Sequence, residues 1–350
     1  PAGVEPEAVA TIFPSGVFTS TMLIFCIYSY RLSSMSKSKL RVSAHALIAL
    51  MLATAVGACA TNEETGNPEG WNNIQPAKDP ELARLVPKNI AARGTVTAAT
   101  NTPYAPNEFK DSEGHIIGVE MDLVKAAGSV LGLDVQPRQM DFSLILPAIS
   151  AGSVEMGASA FTDTEERQKN YDFVDFLNAG VAWSTQPGNE GNVDPNNACG
   201  MTVAVQKGTY SDTDEVQGKS EDCEAKGKPK ITKLVYATAD AAATATILGR
   251  AQAYSSDSPV ISYAVKRSNG RLSQVGNAFD TAPFGWAFKK NSPLAPAMAA
   301  ALDKLKKDGT YERILDPWGL KDAAVKQVTV NLKPLESRRA RRRNGKEETA

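Results

Sequence analysis

Histidine is nearly absent. The 350 residues hold two, His45 and His115. A metal centre built from several histidines is excluded, and a Ser-His-Asp or Cys-His unit would have to be built on one of these two. His115 lies in the polar run Asp111-Ser112-Glu113-Gly114, where a hairpin position is expected. Cysteine is also scarce, with Cys26, Cys59, Cys199 and Cys223. Cys199 and Cys223 belong to no C-x-x-C and lie near no histidine, so their spacing is not a metal signature. An excess of one charge is missing as well: 38 Lys+Arg stand against 39 Asp+Glu, for a net charge of -1. The bulk of the chain has no nucleic-acid footprint. The local exception is Arg338-Arg339-Ala340-Arg341-Arg342-Arg343, in a segment over 331–350 expected to be a disordered, solvated tail. Contact with anionic lipid headgroups is the alternative there. No apolar run is long enough to span a bilayer.

What is present begins with a short apolar stretch, Ala46 to Val56, preceded by the basic Lys37, Lys39 and Arg41 and followed by Gly57-Ala58-Cys59. An apolar stretch of eleven residues suits the h-region of a signal peptide. The arrangement resembles the lipobox of bacterial lipoproteins. That resemblance implies cleavage before Cys59, loss of His45, acylation of the Cys59 sulfur and export; the alternative is a buried helix with an incidental cysteine. In an oxidising compartment Cys199 and Cys223 are then expected to pair. The polar run Thr61 to Gly70 reads as a tether, extended here over 59–86. Residues 1–34 carry a second apolar patch near Met22 to Tyr30. Either translation begins upstream, or Met35 is the start and 1–34 is an extension. The second is the expectation, with 35–58 as the signal peptide.

Beyond the tether, strand-like and helix-like segments alternate. Thr95 to Thr100 and Val135 to Met140 read as strands. A helix led by Asp122 presents Leu123, Val124, Ala127 and Val130, and Phe142 to Ala151 forms another. The pattern restarts after the Gly/Asn/Pro-rich stretch 187–198, with strands at Met201 to Val205, Ile231 to Tyr236 and Ala251 to Ser255. This alternation predicts an α/β fold with a mainly parallel sheet. Two lobes are expected: 87–187 with 283–330, and 188–282, with crossings near 187–198 and 278–285. Ligands of such sheets bind beyond the carboxyl ends of the strands.

An ordered set of motifs then stands out: Tyr104-Ala105-Pro106, Gly118-Val119-Glu120-Met121-Asp122-Leu123, Leu146-Pro147-Ala148-Ile149, Phe161-Thr162-Asp163-Thr164-Glu165-Glu166-Arg167, Gly208-Thr209, Gly249-Arg250-Ala251 with Asp257-Ser258-Pro259, and Trp318-Gly319. Together they resemble the family 3 extracellular solute-binding proteins, the polar amino-acid receptors of ABC importers, most of all actinobacterial members. The resemblance implies a periplasmic-binding-protein-like fold of type II, with two α/β lobes, a hinge and a cleft. It also implies an amino-acid ligand, ABC permease partners, no cofactor and a monomer on the outer face of the cell membrane.

The resemblance assigns roles residue by residue. Arg167 grips the ligand carboxylate through its planar fork, the alternative being a surface arginine paired with Glu165 or Asp163. Thr162 adds a contact, and Gly208, Thr209 and Tyr210 complete the carboxylate cradle where a turn feeds a helix N-terminus. Asp257 takes the ammonium, unless it merely caps the helix after Pro259. Tyr104 and Phe142 sandwich the ligand side chain, with core packing as the rival role for Phe142. The family often has aspartate where Asn101 stands. The missing negative charge speaks against a cationic ligand. Two other readings share the scaffold: a sensory binding protein, and a dehydratase acting on cyclohexadienyl acids. The dehydratase would need an acid or base deep in the cleft, and no isolated candidate is evident.

Overall fold

A computed structural model describes residues 66–335. The expected signal peptide, the lipidation site Cys59 and the arginine run 338–343 lie outside them. The chain enters through α1 (Pro80–Ala83) and α2 (Lys88–Arg93), then forms β1 (Thr95–Thr100) and a hairpin of β2 (Phe109–Lys110) and β3 (Ile116–Ile117). Next come α3 (Val119–Leu131), β4 (Asp134–Gln139), α4 (Phe142–Ser150), β5 (Met156–Thr162), α5 (Glu165–Gln168) and the long strand β6 (Tyr171–Thr185). The second lobe holds β7 (Thr202–Gln206), a π-type turn at Ser211–Glu215, α6 (Val216–Ala225), β8 (Thr232–Tyr236), α7 (Ala239–Ile247), β9 (Ala253–Asp257) and α8 (Ser258–Arg267). Strand β10 (Ser273–Lys289) returns to the first lobe, which α9 (Leu294–Lys307), α10 (Thr310–Leu315), β11 (Ala324–Val330) and β12 (Lys333–Pro334) complete.

Each lobe has a parallel core, β4-β1-β5 in one and β8-β7-β9 in the other. The sheet is not mainly parallel, however. β6 and β10 run antiparallel to each other and to β9 and β5, joining both cores into one ten-stranded sheet. These two strands are the hinge. The first half of β6 pairs with the second half of β10, and Val181 to Thr185 pair with Ser273 to Phe279. Their register shifts between Val275 and Ala282, and Asp280 takes a positive φ of 48° there. The lobes therefore exchange inside extended strands, not in the Gly/Asn/Pro-rich stretch at 187–198. That stretch is a surface turn around Glu190–Asn192 whose Val193 and Ala198 pack into the second lobe.

Three further expectations change. α3 starts at Val119 with Gly118 at its N-cap, so Asp122 does not begin the helix. Its Oδ2 instead accepts the indole N–H groups of Trp71 at 2.8 Å and Trp318 at 2.9 Å. Residues 71–86 are therefore no free tether. Asp79 N–H donates to Val130 O at 2.8 Å, and Ser129 Oγ donates to Pro76 O at 2.7 Å, which straps this segment along α3. At the other end, residues 331–335 are ordered: β12 closes a hairpin with β11, and Asn331 Oδ1 accepts the Phe173 N–H at 2.8 Å. The disulfide Cys199–Cys223 is formed and ties the start of β7 to α6. Among the described residues no helix is long and apolar enough to cross a membrane.

Candidate functional site

The carboxyl ends of β1, β5, β7 and β9 converge on one narrow cavity between the lobes. Asn101, Tyr104, Phe142, Ser159, Ala160, Thr162, Arg167, Gln206, Thr209, Tyr210 and Asp257 line it. Seven of the eight expected ligand residues thus lie together. The eighth, Gly208, sits beside them.

Arg167 lies in the single turn of α5, whose N-cap Thr164 accepts the Arg167 N–H through its side chain. The guanidinium donates to Thr162 O at 2.9 Å and, across the cleft, to Gly208 O at 3.2 Å. It lies 5.8 Å from the centre of the Phe161 ring. Burial lowers its pKa, while Asp214, Asp257, Tyr104 and Asp163 pull the other way.

Asp257 ends β9 and stands at the N-cap position of α8, yet its side chain makes no capping bond. Its Oδ2 accepts instead from Tyr104 Oη, in a very short contact across the cleft. Burial lifts the carboxyl to about 6, even though the Tyr104 bond and the Arg167 charge favour the anion. Tyr104 Oη also lies 3.2 Å from Ser256 Oγ. Phe142 does both things expected of it: it lines the cavity and stacks on Phe161 with ring centres 4.6 Å apart.

The turn at 208–210 differs from the carboxylate cradle anticipated. Gly208 N–H donates to Asp212 Oδ2 at 2.8 Å, and Thr209 N–H to Gln206 O at 3.4 Å. The turn feeds a π-type turn, which brings Asp212 back as an internal anion, itself bound to Lys233 at 2.8 Å. From this loop Thr209 and Tyr210 line the cavity.

Three cavity residues, Gln206, Ser159 and Ala160, escaped the sequence reading, whereas the resemblance had already placed Asn101 near the site. Gln206 Nε2 donates to Asn101 Oδ1 at 2.7 Å across the lobes, while Gln206 Oε1 is buried and accepts nothing. Ser159 and Ala160 form the wall in β5, and Ala160 holds φ at 48°, which is unusual for a non-glycine residue. Among the described residues no group of three or more His, Cys, Asp or Glu could hold a metal ion.

Comparison with known proteins fits this geometry. Arginine-binding protein ArgT of Corynebacterium glutamicum is 52% identical over 280 residues, which is 80% of this chain and 92% of that protein. A solved ancestral arginine-binding protein bound to arginine is 33% identical, with a TM-score of 0.60 over 65% of this chain and 98% of its own. An ancestral arginine-binding protein bound to glutamine matches at 31%, with a TM-score of 0.58 over 65% and 98%. The family model of bacterial extracellular solute-binding proteins, family 3, matches residues 96–321. That span runs from β1 past the Trp318 turn and takes in both lobes, the two hinge strands and every residue of the cavity, so the chain belongs to the family 3 extracellular solute-binding proteins and is an amino-acid receptor, not an enzyme.

Proposed function

We propose that the cargo is L-arginine, delivered to an ABC permease by a receptor held at the membrane through a lipid on Cys59. The observation that carries the cargo is the 52% identity to a protein named for arginine binding. In this reading the Arg167 fork takes the α-carboxylate, moving off Thr162 O and Gly208 O as it does so. Thr162, Thr209 and Tyr210 surround that end, and Gly208 shapes the turn. Asp257 takes the α-ammonium. Tyr104 and Phe142 flank the side chain. Asn101 would leave a guanidinium without a carboxylate of its own at this position, yet Asn101 Oδ1 and the unused Gln206 Oε1 are acceptors in the wall. Transport is favoured over sensing by the kinship with transport receptors alone.

Calorimetric titration of ligand-stripped protein against the twenty amino acids tests this. Micromolar or tighter binding of L-arginine is expected. Removing a buried charge that grips a carboxylate costs about 2–5 kcal/mol, so Arg167→Ala should weaken binding at least about thirtyfold. Preference for L-glutamine would reassign the cargo, and silence towards every amino acid would sink the reading.

A further inference from the structure

The wall segment Ser159–Ala160 is gripped from behind by two acids that ligand binding does not use. Glu108, just ahead of β2, and Glu120, in the first turn of α3, are both 0% exposed. Glu108 Oε1 accepts from Ser159 Oγ at 2.8 Å, and that hydroxyl in turn accepts the Asn101 N–H at 3.0 Å. Glu120 Oε2 accepts the Ala160 N–H at 2.7 Å, at the residue with the positive φ. The two remaining oxygens, Glu108 Oε2 and Glu120 Oε1, are buried and meet no N–H or hydroxyl donor. The two carboxyls are close enough for each to act on the other's ionisation. Two carboxylates are acceptors only, so a hydrogen bond between those two unmet oxygens needs a proton on one of them.

We propose that Glu108 and Glu120 share one proton, and that this proton-linked pair is the positioning element that holds Ser159 and Ala160 in the shape the ligand meets. The proposal rests on the reading that this wall faces the amino acid. Neither acid touches the cavity; both act through β5. No lysine or arginine stands among the main influences on either carboxyl. The other titratable group felt by the pair is Asp257, whose anion adds to the repulsion and whose own partners are Tyr104 and Arg167. Burial raises both acids, and for Glu120 the result is about 8. As pH rises through that value the proton leaves, two buried anions repel, and the grip on β5 loosens.

The test is the pH profile of L-arginine binding to the detergent-solubilised full chain between pH 6.5 and 8.5, for the wild type and for Glu120→Gln. A glutamine amide donates to Glu108 without a titrating proton and still accepts from Ala160. The wild type should weaken by about threefold to fourfold across this range, close to the most that loss of one proton from a group at about 8 can produce by pH 8.5. The variant should change less than about twofold, whatever its affinity at the start. Comparing slopes cancels the ligand's own titration and that of Asp257. Glu108→Gln serves as the second variant and should also flatten the profile. Equal slopes in wild type and variants overturn the proposal. If L-arginine does not bind at any pH, the cargo reading has failed separately. The ligand-free arm then decides: the thermal midpoint should fall with pH in the wild type and stay flatter in both variants. Parallel declines there overturn the shared proton.

Discussion

Gln206 Nε2 donates to Asn101 Oδ1 at 2.7 Å, and the bond joins the end of β7 in one lobe to the end of β1 in the other. Both side chains are buried, and Asn101 Nδ2 is fixed in turn by Met140 O at 2.9 Å. The Asn101 oxygen therefore points at the second lobe and at the cavity. Asn101→Asp keeps an acceptor for Gln206 and adds a charge that a guanidinium or ammonium can meet. A charge-assisted bond contributes about 1.5–3 kcal/mol against about 1 for a neutral one. The variant should gain about fivefold or more in its preference for L-arginine over L-glutamine, read by competitive titration. A shift towards L-glutamine would show that this position lies away from the ligand side chain.

With Asp257 as the proposed partner of the ammonium, its carboxyl should set the acid limb of binding. An ammonium needs the carboxylate, and burial raises this group to about 6. Affinity should fall as pH drops from 7 through 6 to 5, and Asp257→Asn should remove that limb together with most of the affinity. For folding the sign is opposite. A raised folded pKa contributes stability below the ordinary aspartate value, and that contribution is lost as pH rises through about 6. Ligand-free protein should thus become less stable over the range in which binding improves. Isothermal titration and thermal unfolding across the same buffers separate the two trends.

Much of this architecture could be read from residues. Gly132 at the end of α3 adopts φ 72°, as a helix-ending glycine should, and the β1, β4, β7 and β8 segments were evident as strands in the strand–helix alternation. The order of motifs also brought Arg167, Asp257, Tyr104 and Phe142 to one cavity. The crossing expected near 278–285 falls in β10, but the β6 half of the hinge was invisible because its chemistry is that of ordinary extended strand. β6 and β10 change partners in mid-strand, and only long-range pairing reveals that. Glu120 was hidden for another reason. It stands on a helix among Val119, Met121 and Leu123, where the acid reads as structural, but nothing local pairs it with Glu108 twelve positions earlier. Asp122 fits a capping role in any local reading. Two tryptophans from distant positions determine what it does.

The Cys199–Cys223 bond closes a loop with a sequence separation of 24. Chain-entropy reasoning gives it about 3–4 kcal/mol. It also anchors the second-lobe core, where Cys223 packs among Trp183, Val203 and Val216. The double substitution Cys199→Ser, Cys223→Ser should lower the denaturation free energy by about 3 kcal/mol. Binding at low temperature should survive, because neither cysteine lines the cavity. An unchanged unfolding midpoint in urea would show that the loop is held by its other contacts alone.

A second acid pair, Asp163 and Asp175, lies at the far end of the same wall. Asp163 Oδ1 accepts from Gln168 Nε2 at 2.9 Å, and Asp175 Oδ2 accepts from Thr329 Oγ1 and from the Leu332 N–H at 3.3 Å. The remaining oxygens, Asp163 Oδ2 and Asp175 Oδ1, meet no other donor, and the two carboxyls face each other. Burial, with the Asp163 charge beside it, raises Asp175 to about 8. The folded value is above the ordinary 3.8. This group's contribution is therefore complete below about pH 4, declines as pH rises, and is gone once pH passes about 8. Asp175→Asn can donate from its amide to Asp163 while its oxygen keeps the Thr329 and Leu332 bonds. The variant should melt close to the wild type at pH 5 and above it at pH 8.5, so the gap between the two midpoints widens with pH. Midpoints that stay parallel from pH 5 to 8.5 would mean that Asp175 is ionised throughout, and that its second oxygen is satisfied by something other than a shared proton.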